Sequence, residues 1–186
     1  MSSPSTLRLA RARAGRTALA PLLLACALAA CSSAPPAPPP APALTQATPE
    51  QMVASIRAAA GDGADELAVQ PLRNAEVEDL RQAAQRLEAQ KHYADAARAL
   101  DDAIAIVSED PALLQERAEI ALLEGDHATA AALAGRAHAL GSQVGPLCRR
   151  HWATIEQVRL KTGDAPGAAE AKGRVDACTV SAPNRF

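Results

Sequence analysis

The sequence predicts an all-α fold, a short α-solenoid of about three helical hairpins behind an N-terminal leader and a Pro/Ala-rich linker. Alanine dominates an apolar fraction of 48%, and aromatics are only 2% of the chain, a composition that suits closely packed helices better than a β-sandwich. From Asn74 onward, short amphipathic stretches alternate with turns containing Gly or Asp. Aligning the chain with itself at an offset of 34 residues superimposes Leu80 on Leu114, Ala84 on Ala118, Ala96 on Ala130 and Ala103 on Ala137. Repetition at that period is the mark of stacked helix pairs.

Residues 1–30 have the form of a secretory signal. Arg8, Arg11, Arg13 and Arg16 make a basic start, and the apolar run from Thr17 to Ala30 is short for a membrane span. The run ends in Leu28-Ala29-Ala30-Cys31, which resembles the bacterial lipobox, so Cys31 is the expected mature N-terminus and lipidation site. A second, looser candidate ends at Cys26. A signal cut without lipidation would instead leave Cys31 as an exposed free thiol, which extracytoplasmic proteins tend to avoid. More than one acyl chain gives stable anchoring, and Ser32, where retained lipoproteins carry Asp, implies the outer membrane by resemblance.

Four of the 19 basic residues lie in this leader, so the remainder carries 15 basic against 21 acidic residues, a net charge of −6. Nucleic-acid binding needs a concentrated basic surface and is set aside. The mature chain opens on a lipidated Cys and Pro/Ala-rich linker over 31–47. Within it, residues 34–43 alternate Ala and Pro and favour polyproline II, extending about 30 Å at roughly 3.1 Å per residue. We read it as a stalk.

An entry helix and extended connector are expected over 48–75. Thr48-Pro49-Glu50-Gln51 has the capping-box pattern with proline at the first helical position. Met52, Ile56 and Ala59 recur at helical spacing, and Gly61-Asp62-Gly63 ends the element. Glu66 to Pro71 reads as an extended connector.

The repeat domain spans 76–178, with a tail over 179–186. The turn Lys91-His92-Tyr93-Ala94-Asp95-Ala96 aligns with Gly125-Asp126-His127-Ala128-Thr129-Ala130. A third unit follows after four extra residues within Gly141–Pro146, using Trp152, Ile155, the Gly163-Asp164 turn, Ala168 and Val175. Small residues at Ala84, Ala96 and Ala103 let antiparallel helices cross closely. Leu80, Leu87, Leu100, Leu114, Leu140 and Trp152 are expected to fill the wider ends. These landmarks resemble the tetratricopeptide repeat (TPR) family over about residues 76–178. The sequence departs from the family pattern at Arg117, where leucine is usual, at Ala134, which replaces a large apolar residue, and at Pro111, three residues late.

In that register Cys148 opens the first helix of unit three and Cys178 closes its second. With Cys26 removed and Cys31 lipidated, an oxidising compartment favours a Cys148–Cys178 disulfide; the alternative is two separate buried thiols.

No catalytic constellation emerges. His92, His127, His138 and His151 form no HExxH pair, and Cys148 and His151 lack the further ligands of a zinc site. Gly61-Asp-Gly63 is not a phosphate loop. No cofactor or metal is expected, and no enzymatic activity. The TPR resemblance implies a ligand groove on the first helix of each unit: Glu78, Arg81, Gln85 and Glu88; Gln115, Glu119 and Leu122; Arg150, Gln157 and Lys161. These mixed-charge positions suit an extended peptide or a protein edge. The expected function is therefore a lipid-anchored adaptor or scaffold of the bacterial envelope, facing the periplasm and binding an envelope protein or peptide. Two alternatives are a cell-wall-binding or hydrolytic factor with an unrecognised site, and a self-associating structural lipoprotein.

Overall fold

The computed structural model describes residues 41–61 and 74–179. The leader, Cys31, the Glu66–Pro71 connector and residues 180–186 lie outside the described residues. Those described form an all-α structure of seven helices with no strand: α1 (Pro49–Ala59), α2 (Ala75–Ala89), α3 (Tyr93–Ile106), α4 (Pro111–Glu124), α5 (His127–Leu140), α6 (Pro146–Lys161) and α7 (Ala165–Ala177).

Helices α2/α3, α4/α5 and α6/α7 form three hairpins, stacked through α3 on α4 and α5 on α6. The small residues that align in sequence sit at the crossings: Ala84, Ala96, Ala103, Ala118, Ala130, Ala137 and Ala168 are all buried. A methyl group is the largest side chain that lets two backbones close to this distance while still excluding water.

The three hairpin turns share one backbone device. Gly125 and Gly163 both have φ 80°, and the equivalent residue of the first turn, Lys91, has φ 62°. Glycine takes this left-handed conformation freely, whereas a side chain costs about 1–2 kcal/mol there. Lys91→Gly is therefore expected to stabilise the domain by about 1 kcal/mol; a urea midpoint equal to or below that of the parent would contradict the assignment.

Helix starts follow the local chemistry. The Thr48 hydroxyl accepts from the Gln51 N–H and the Gln51 side chain accepts from the Thr48 N–H, so α1 begins with a complete capping box. Asp110, Asp126 and Asp164 cap α4, α5 and α7 in the same way, each accepting a backbone N–H.

The departures from the repeat pattern have physical answers in part. Arg117 reaches from α4 to Asp101 on α3 and to Glu124, so an ion-paired stem stands where an apolar side chain would pack. Pro111 supplies the first residue of α4 and lies against Gly141. Ala134 is fully buried. One expectation fails: Leu140 does not fill an interior end but is 41% exposed, because α5 stops there and Gly141 turns the chain away in extended conformation.

Hairpin three is closed covalently. Cys148 and Cys178 are disulfide-bonded with Cα atoms 5.8 Å apart, and beside them the Gly145 N–H donates to the Cys178 carbonyl at 2.7 Å.

The chain before α1 is also held. The Leu44 N–H donates to the Leu160 carbonyl at 2.8 Å, near the C-terminal end of α6. The end of α1 meets the start of the same helix, where the Arg149 guanidinium donates to the Ala59 and Ala60 carbonyls. Residues 44–60 thus run antiparallel to α6. Upstream, Ala41 and Pro42 pack so tightly on Gly163 that a Cβ there would sit 2.6 Å from the Pro42 oxygen.

A groove partly filled by the entry helix

The first helices of the three units, α2, α4 and α6, supply the groove positions. Helix α1 packs against α4 and α6, burying Met52, Val53 and Ile56. That placement divides the ten candidate residues. Gln115, Glu119 and Leu122 are fully buried and present no free surface. Glu78, Glu88, Arg81, Arg150, Gln157 and Lys161 are half-buried, and Gln85 is exposed. The groove positions on α4 are thus interior, because an amphipathic helix from the same chain covers this part of the molecule.

Glu119 is the centre of the covered part. Its Oε2 accepts from Arg57 Nε of α1 at 2.8 Å. Its Oε1 accepts from Arg150 Nε at 3.0 Å and from Gln115 Nε2 at 2.9 Å, with a second contact from Arg150 Nη2. A carboxylate with no exposure is tolerable only when its lone pairs are answered in this way. Arg57 also pairs with Glu88 at 2.9 Å, joining α1 to the end of α2.

The buried network continues away from the groove. Gln115 uses its amide nitrogen toward Glu119 and toward Thr154 Oγ1 at 2.8 Å, which leaves its Oε1 as an acceptor. The nitrogen facing that oxygen, His151 Nδ1 at 2.8 Å, must therefore carry the proton. The neutral ring then has a lone pair on Nε2, which is buried with no hydrogen-bond partner. Burial, followed by the positive charge of His138 on protonation and of Arg150, pushes His151 down to about 3. His138 and Trp152 stack edge-on at 5.0 Å, with Arg174 5.6 Å from the indole centre.

What α1 leaves open is a cleft of about 680 Å³ between α1 and α2. Ala84, Leu100 and Ile120, each no more than 3% exposed, lie beneath it, while Arg57, Arg81, Gln85, Glu88, Glu116 and Arg150 contribute polar groups. Arg81 grips Glu116 with two nitrogens and Glu78 with a third, at 3.0 Å to Glu78. Gln157 and Lys161 do not line this cleft. Its accessible lining is mainly polar and charged, set over apolar side chains.

The fold has a solved counterpart in the globular C-terminal domain of P. aeruginosa LpoP. The two share 28% sequence identity at a TM-score of 0.54, over 56% of this chain and 99% of the LpoP domain. The LpoP domain is thus matched almost end to end by part of this chain. No protein-family model and no curated protein matches the sequence.

Sequence reasoning missed the residues that organise this site. Arg57 and Glu116 complete ion pairs whose partners are 62 and 35 residues away. Glu116 follows Gln115 directly, but only the placement of α2 and α6 reveals what either residue touches. Among the described residues no group of three or more His, Cys, Asp or Glu is arranged to hold a metal, and no helix is long and apolar enough to cross a membrane.

Proposed function

We propose that this chain is a TPR-type adaptor of the bacterial envelope, tethered to the outer membrane by lipid on Cys31 and binding a protein partner without catalysing a reaction. The cleft between α1 and α2 carries the reading: walls of charged and amide side chains, with Gln85 exposed among them. The 34-residue register supports the repeat assignment. The likeness to the LpoP domain, itself described as a globular C-terminal domain, supports a helical unit carried at the far end of a tethered chain.

Cross-linking tests it. A photoreactive side chain at position 85 of the full-length lipoprotein is expected to capture a discrete envelope protein, while the same group at exposed Lys172 on α7 does not. Identical bands from both positions, or none from position 85, would count against the cleft. Saturable binding to purified peptidoglycan without a protein adduct would favour the cell-wall-binding alternative.

A further inference from the structure

Among the described helices, α1 alone belongs to no hairpin. The stack from α2 to α7 closes through α2/α3, α3/α4, α4/α5, α5/α6 and α6/α7 contacts, so no hairpin pairing depends on α1. Yet it presents a defined chemistry to α4 and α6. Three apolar side chains, Met52, Val53 and Ile56, are 3% exposed or less, and Arg57 follows them, with its guanidinium on buried Glu119 and its outer edge on Glu88.

We propose that α1 is a displaceable occupant of the recognition groove, and that the partner engages by replacing it with an amphipathic helix of the same pattern: two adjacent apolar residues, a third one turn on, and then arginine. This deepens the adaptor reading and rests on it. Two features make displacement local. On release of Arg57, Glu119 Oε1 keeps Arg150 and Gln115 while Oε2, uncovered as α1 leaves, is free to bond water, and the disulfide and the hairpin crossings are untouched. Single elements can open as sub-global units independently of global unfolding. Arginine is specified over lysine because Arg57 bridges two carboxylates with separate edges of a planar group, which an ammonium cannot do.

Two measurements on the full-length protein test this. Hydrogen exchange of the parent is expected to show α1 amides exchanging about 100-fold faster than those of α4 and α6, as a sub-global opening requires. In the second, Ile56→Glu unseats α1, and a fluorescent synthetic peptide of residues 46–61 is added. The peptide is expected to bind the variant, to bind the parent at least about tenfold more weakly because the resident helix competes, and to lose binding when its own arginine is replaced by glutamate. Exchange of α1 in step with α4 and α6 overturns the proposal. So does a variant that remains helical and takes up no peptide. If the variant does not fold, exchange in the parent decides alone. A partner captured at position 85 while α1 remains as protected as α4 would sink displacement and leave the adaptor reading standing.

Discussion

Replacing both Cys148 and Cys178 by alanine is expected to lower the stability of the domain by about 3.7 kcal/mol, the chain-entropy value for closing a loop of about 30 residues. For a domain of this size that corresponds to a fall in melting temperature on the order of 10 °C. The bond spans 30 residues and joins the start of α6 to the end of α7. Cutting it frees an unfolded chain that was previously cross-linked while leaving the native hairpin its Gly145–Cys178 hydrogen bond. Alanine is the right replacement because both sulfurs lie in residues no more than 2% exposed, where a serine hydroxyl would add an unsatisfied group. The loss should be felt beyond hairpin three: α1 rests on α6 and takes its C-terminal cap from Arg149, one residue after Cys148. Urea melts of the oxidised parent and the double variant, compared at equal slope, check this; coincident midpoints would mean the bond constrains nothing.

Acid is expected to destabilise the domain through His151. In the folded chain this imidazole is held neutral down to about pH 3, whereas in the unfolded chain it titrates near the ordinary value of about 6.5. Between those two pH values the unfolded state binds one more proton, so stability rises with pH across the window and is lost as pH falls from about 6.5 toward 3. The slope reaches about 1.4 kcal/mol per pH unit, and the part lost by pH 5 is about 2 kcal/mol. His151→Asn isolates the effect: its amide nitrogen can still donate to Gln115 Oε1, but it does not titrate. The variant is expected to be less stable at pH 7 by about 1–2 kcal/mol for the lost ring packing, and to show a shallower decline on acidification. The gap between the two proteins therefore narrows as pH falls. A gap that stays constant from pH 7 to pH 4 would show that His151 does not carry the dependence.

Much of the fold was legible because it depends on size and spacing. Ala84, Ala96 and Ala103 announce helix crossings through the absence of anything larger, and that pattern recurs at 34 residues and once more after a four-residue insertion. The capping box at Thr48 and the glycine turns at Gly125 and Gly163 are local signals that neighbouring residues settle among themselves. Lys91 was less visible, since nothing in its own chemistry marks a left-handed residue; only its alignment with two glycines does.

The interior of the groove was not legible, for a related reason. Glu119 and Gln115 read as surface residues, because a carboxylate or an amide belongs in water unless partners are supplied, and their partners come from α1 and α6, distant in sequence. The amphipathic pattern of α1 shows that the helix must bury one face. It does not say against what. A solvated groove and a filled one predict the same spacing of polar residues on α4, and the difference lies in the path of a helix that belongs to no repeat.

Ala41 and Pro42 wedged on Gly163, and Leu44 fastened to Leu160, bear on how the domain responds to tension. A pull arriving along the chain from its N-terminal side is delivered at the α6/α7 turn, on the hairpin that carries the covalent cross-link, and α1 lies between that point and hairpin one. The first two hairpins are thereby kept out of the load path. Force on that segment would first load the contacts of Ala41, Pro42 and Leu44 with the α6/α7 end, and the cleft wall formed by α2 would keep its shape.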